Sequence, residues 1–153
     1  MAQTPYNRAL DLLSARAYTV RQLRRKLLQK QVSSEEADVV IARLTSAGLL
    51  DDSRYALAFA RSKLAGQGAS ARRVAQDLAR KGVTSEIAKA AIAEVIVDEG
   101  VDARESLRKA ARRKLATMGD LEPLVVRRRL FAFLVRRGYE LDEIREAVST
   151  LLS

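Results

Sequence analysis

The chain contains no cysteine, no histidine and no tryptophan. Without Cys there is no disulfide framework and no thiolate nucleophile, and the lack agrees with a reducing compartment. With His also missing, zinc sites of the usual nitrogen and sulfur kind and imidazole bases are excluded. Glycine is scarce, with seven scattered residues, so no loop is rich enough in it to cradle a phosphate. Aromatics are only 5% of the chain. A core drawn mainly from Leu, Val, Ile and Ala favours helices over sandwiches. No apolar stretch approaches the roughly 18 residues of a membrane span. The N-terminal MAQTPYNRALDLL lacks the basic and apolar regions of a secretory signal. These absences together predict a soluble cytoplasmic protein.

What is present is a folding composition. Of 153 residues, 48% are hydrophobic and 31% charged. The formal net charge is +9 and the pI about 10.3. Such a balance points to an anionic partner: nucleic acid, an acidic protein face or a membrane surface.

Three stretches fall in register. RQLRRKLLQKQVSSEEADVVIARL begins at Arg21, RRVAQDLARKGVTSEIAKAAIAEV at Arg72, and RRLFAFLVRRGYELDEIREAVSTL at Arg128. Their apolar positions superimpose: Leu23 with Val74 and Leu130, Leu27 with Leu78 and Leu134, Val32 with Val83 and Tyr139, and Ile41 with Ile92 and Val148. Upstream, Ala9, Ala60 and Ala111 repeat, as do Leu13, Leu64 and Leu115. A period near 50 with helical spacing inside each unit is the signature of a helical array. The expected fold is all-α, with three tandem three-helix repeats over 1–50, 51–100 and 101–153. Helices are expected near 5–16, 19–31 and 33–47, near 52–65, 70–81 and 84–98, and near 102–117, 122–137 and 140–152. Thr19, Ser33 or Ser34, and Thr84 or Ser85 suit N-caps; Gly48 and Gly82 suit helix stops. No alternating run reads as a strand.

Charge follows the same period. The second helices of the units carry net +5, +3 and +4, and the third helices −2, −2 and −3. Acids opening the third helices (Glu35, Glu86, Asp142) and cations closing the second (Lys30, Lys81, Arg137) complement the helix dipole at a few tenths of a kcal/mol each. Cations opening the second helices do not. Arg21, Arg72 and Arg128 share a register on the side away from the apolar stripe, with Arg73 and Arg129 adjacent. Arg25, Arg80 and Arg136 also project outward. RESLRKAARRKLA adds a basic stripe that includes Arg108 and Arg112. A solvated helix face explains any one of these runs; three in register favour a binding surface. No catalytic constellation emerges, because Asp51/Asp52 and Glu35/Glu36 sit at helix starts where capping accounts for them. The residues therefore point to a binding protein rather than an enzyme, with no cofactor and no metal site.

Four strings, RAYTVRQLRRKL, AGLLDDSRYALAFARSKL, RRVAQDLARKGV and RRRLFAFLVRRGY, resemble the RecX regulatory proteins in order and spacing over nearly the whole chain. Gln22 departs from the acid common in relatives, and Ser70-Ala71 from their Gly-Pro. The resemblance implies an elongated, curved, monomeric array that lodges in the groove of the RecA recombinase filament on DNA. It implies inhibition of recombinase, ATPase and co-protease functions, a place in recombination, DNA repair and the SOS response, and only weak phosphate contact with DNA. The rival reading is a stand-alone helix-turn-helix DNA reader. The acidic third helices, where recognition usually lies, count against it. A third reading, a scaffold for acidic proteins in general, would show as binding to unrelated acidic partners.

Overall fold

A computed structural model describes residues 3–153. Among them are nine α-helices and no strand. The first unit comprises α1 (Pro5–Ala15), α2 (Val20–Gln29) and α3 (Ser34–Ser46); the second α4 (Asp52–Ala60), α5 (Ala71–Arg80) and α6 (Ser85–Glu99); the third α7 (Ala103–Ala116), α8 (Pro123–Arg136) and α9 (Leu141–Leu151).

Local chemistry sets these boundaries. Thr4, Thr19, Ser33, Asp51, Ser70, Thr84 and Asp102 each accept a backbone N–H from the first turn of the helix they precede. A good N-cap is worth about 1 kcal/mol. Gln22 completes a capping box: its Oε1 accepts the Thr19 N–H at 3.1 Å, while Thr19 Oγ1 accepts the Gln22 N–H at 3.1 Å. The amide thus does what an acid would do there. Ser70 likewise caps α5, its Oγ accepting the Arg73 N–H at 3.1 Å. α8 and α9 lack a side-chain cap, and α8 instead carries Pro123 in its first turn.

One element departs from expectation. The helix expected over 52–65 is α-helical only to Ala60 and continues as a π-helical segment, Arg61–Gly66. Gln67 N–H donates to the Ser62 carbonyl, and Ala69 N–H reaches back to Lys63. Gly66 and Gly68 give this end little α propensity. The wider turn keeps Leu64 buried while delivering the chain to Ala69.

Each unit wraps its own core. Leu23, Leu27 and Leu44 anchor the first, Val74, Leu78 and Val95 the second, and Leu130, Leu134 and Ile144 the third. The register holds: Leu27, Leu78 and Leu134 are all fully buried, as are Ala9, Ala60 and Ala111. The alanines let the first helix of each unit approach the other two closely. Helix packing lies chiefly within units, which leaves a large surface. The molecule exposes 9519 Å², against about 7,700 Å² for a compact monomer of this mass. The array is therefore extended.

Candidate functional site

The second helices meet end to end. The N-terminus of α2 rests on the C-terminus of α5, and the N-terminus of α5 rests on the C-terminus of α8. At the first junction Thr19, wholly buried, donates its hydroxyl to the Lys81 carbonyl at 2.6 Å. Gly82 (φ +92°) lies under the Arg21 stem, so close that an added Cβ would stand 2.5 Å from the Arg21 Cβ. Asp52 Oδ1 accepts the Val20 N–H at 2.9 Å. At the second junction Ser70 N–H donates to the Arg137 carbonyl at 3.2 Å. Gly138 (φ +91°) lies under Arg73, where a Cβ would stand 2.7 Å from the Arg73 Cβ. Tyr139 donates its hydroxyl to the Gly68 carbonyl, and Arg137 Nη1 donates to the Gln67 carbonyl at 2.7 Å. Burial is the main cause that pushes the Tyr139 hydroxyl up to about 12; Arg137 opposes it and Glu143 adds to it. Tyr139 therefore stays a donor.

Glycine is required at these joints and not elsewhere in the register. Gln31, equivalent to Gly82 and Gly138, also has positive φ (68°). Among the described residues no unit docks on it, and its side chain is exposed.

This column explains cations that the dipole of their own helix disfavours. A second-helix N-terminus in the array abuts the carbonyl end of the next second helix, which carries partial negative charge. Arg73 Nη1 donates directly to the Arg136 carbonyl at 3.3 Å. Arg72 spans the same joint to pair with Glu140 at 3.2 Å. The candidates therefore divide. Arg72, Arg73 and Arg80 have internal partners, the last two both holding Asp77 at 3.2 and 3.0 Å. Arg112 reaches Glu105 at 3.7 Å. Arg25, Arg108, Arg128, Arg129 and Arg136 are exposed, with no carboxylate partner among the described residues. Arg21 lends its stem to the joint, and its guanidinium has no carboxylate partner among the described residues. Among these candidates, uncommitted charge is thus concentrated in the first and third units. The exposed pairs that neutralise the middle are worth about 0–1 kcal/mol each, and a stronger anionic ligand can displace them. No cluster that could hold a metal ion occurs among the described residues. No helix among them is long and apolar enough to cross a membrane.

Models of the first, second and third three-helix domains of RecX match residues 6–44, 51–92 and 102–148 in turn. The chain belongs to the RecX family. A regulatory protein RecX of Amycolatopsis mediterranei is 34% identical over 152 residues, covering 93% of this chain and 85% of its own. That of Xanthomonas axonopodis pv. citri is 37% identical over 145 residues, covering 95% and 86%. The crystal structure of RecX from Lactobacillus salivarius superimposes with a TM-score of 0.72 at 20% identity, over 96% of this chain and 94% of that one. A second RecX crystal structure gives 0.74 at 19%, over 95% and 70%. The solved RecX structures share the fold, and the family is one of regulatory proteins.

Sequence reasoning placed every helix but missed the joints, because a repeat in register shows what is equivalent rather than what touches. One signal was available. Gly82 and Gly138 align with Gln31, and a glycine kept only in the two units that receive a neighbour marks a close approach.

Proposed function

We propose that this chain is a non-enzymatic regulator that binds RecA filaments on DNA and inhibits their recombinase, ATPase and co-protease activities. In this role it acts in the cytoplasm as a monomer and modulates recombination, repair and the SOS response. The observation that carries the reading is the match of all three RecX domains, in order, along the chain. The basic column supports it. An extended array offers a long surface, and unpaired guanidinium groups at both ends suit a groove walled by acidic protein and DNA phosphate. Contact with DNA is weak and made through phosphates. The acidic third helices argue against a sequence-reading helix in the major groove.

The experiment reverses charge without touching the joints. Register alone suggests Arg21, Arg72 and Arg128, but Arg72→Glu would set two carboxylates against each other across the second junction. The better triple is Arg25→Glu, Arg128→Glu and Arg129→Glu. It should retain wild-type helix content and melting, and lose inhibition of RecA ATPase on preformed filaments. For each phosphate contact removed, the slope of log affinity against log salt should flatten by about 0.7–0.9. A folded triple variant that inhibits like wild type would overturn the assignment of these residues.

A further inference from the structure

The two junctions leave equivalent clefts with unlike linings. The second, about 290 Å³, is bordered by Gln67, Gly68, Gly100, Glu105, Ser106 and Lys109. The first, about 810 Å³, has at the matching positions Arg16, Ala17, Leu49, Arg54, Tyr55 and Ala58. The second junction docks its units with a mixed lining in which Glu105, Ser106 and Lys109 stand where the first has Arg54, Tyr55 and Ala58, so docking does not require so apolar a lining as the first cleft has. Leu49 is 48% exposed at the rim with nothing covering it.

The chemistry around the first cleft selects its occupant. Arg16 and Arg54 line it, and Lys63 and Lys81 stand 5.6 and 5.4 Å from the Phe59 ring at its edge. The one carboxylate in the lining, Asp51, is engaged in capping α4 through the Arg54 N–H. An apolar floor inside a cationic rim fits Leu or Phe side chains carried between carboxylates. It is less suited to nucleobases, because the rings that would stack them already carry partners: Arg16 lies over Tyr18 at 4.3 Å, Lys63 and Lys81 stand 5.6 and 5.4 Å from Phe59, and Tyr55 stacks against Phe59 at 6.3 Å.

We propose that the cleft between the first and second units receives an acidic segment of the RecA protein, anchored by aliphatic or aromatic side chains. The proposal rests on the functional reading above and adds a protein-contacting site to its phosphate-facing cations.

Two variants test it. Ala58 is exposed at the cleft and corresponds to Lys109, so its helix position accepts a long side chain. Ala58→Trp fills the cleft without changing charge. Arg16→Gln copies the residue that the second junction uses at Gln67. Binding of wild type and each variant is measured on RecA filaments assembled on single-stranded DNA, and on the same DNA without RecA. Thermal melting of each variant confirms folding. Ala58→Trp should melt like wild type, bind filaments at least tenfold more weakly and bind bare DNA unchanged. Arg16→Gln should weaken filament binding several-fold and reduce its salt dependence. Undiminished filament binding by a folded Ala58→Trp would overturn the proposal. So would an equal loss on bare DNA, which would place nucleic acid in the cleft. Wild type that fails to bind filaments at all would remove the functional reading, and this one with it.

Discussion

Replacing Gly82 by alanine separates a backbone cost from a junction cost. Gly48 is the control: its φ is +73° and nothing lies within 4 Å of where its Cβ would be. Gly48→Ala should therefore lose only the left-handed penalty, about 1–2 kcal/mol. Gly82→Ala incurs the same penalty at φ +92° and also drives a methyl to 2.5 Å from Arg21 Cβ and 2.6 Å from its Cδ. The nearest of these atoms is fixed to the backbone of α2, so rotating the arginine tip brings no relief. The first turn of α2 must retreat, and with it the Thr19 hydroxyl from the Lys81 carbonyl. Leaving those buried groups unpaired adds about 1–3 kcal/mol, for a total of about 2–5 kcal/mol. Guanidinium denaturation of both variants measures the difference. Because the units are coupled through this joint, Gly82→Ala should also shallow the transition as the first unit uncouples. Removing the opposing atom with Arg21→Gly should be less harmful in the Gly82→Ala background than alone. If Gly82→Ala is no more destabilising than Gly48→Ala, the tight joint does not exist in solution and the end-to-end column is wrong.

Three further outcomes follow from the same structure. Leu78→Gly should destabilise far more than Arg21→Ala in thermal melts, since loss of a buried Leu costs about 2–5 kcal/mol before the helix penalty of Gly. Small-angle scattering should give a radius of gyration clearly above the ~15 Å of a round domain of this length. Tyr139→Phe should cost about 1–3 kcal/mol at pH 7 by leaving the Gly68 carbonyl unpaired. With its folded value raised from 10.0 to about 12, Tyr139 gives a contribution that is whole below pH 10 and lost as pH rises through 12. Its share of the slope is about −1.4 kcal/mol per pH unit, absent from the Phe variant in urea titrations across that range.

The fold was legible where a helix answers to its own sequence. Leu27, Leu78 and Leu134 repeat because each unit must bury the same stripe, and all three are fully buried. Thr19, Ser33 and Thr84 announce their helices because capping is a contact across three residues. The π-helical stretch after Ala60 was not legible, since an α-helix and a slightly wider one show nearly the same periodicity over six residues. The joints were illegible for another reason. Arg72 and Glu140 pair across 68 positions, and Tyr139 and Gly68 across 71. Tyr139 looked like a plain core residue because Val32 and Val83 share its register. Its hydroxyl is explained only by a carbonyl of the preceding unit.

Equivalence in the repeat and equivalence in function therefore part company at the arginines. Arg21, Arg72 and Arg128 occupy one register, yet the array gives each a different neighbour. Arg21 lies over Gly82, Arg72 pairs across the second joint, and Arg128 stands on the last second helix, which docks on nothing further. A repeat with two joints and three units must leave one member of each such set unopposed. At the basic N-termini the unopposed member is in the third unit, where Arg127, Arg128 and Arg129 have no carboxylate partner among the described residues. At the C-termini it is in the first unit, where among the described residues no neighbouring unit docks on α2 and Arg8 Nη1 donates to the Lys30 carbonyl at 2.7 Å instead. In the middle unit Arg72, Arg73 and Arg80 offset the partial charges of a neighbouring helix end or the carboxylates of Asp77 and Glu140. Arg25 in the first unit and Arg128 and Arg129 in the third have no such pairing among the described residues, so a long anionic partner meets unpaired guanidinium groups towards both extremities of the array as well as the cationic rim of the first cleft.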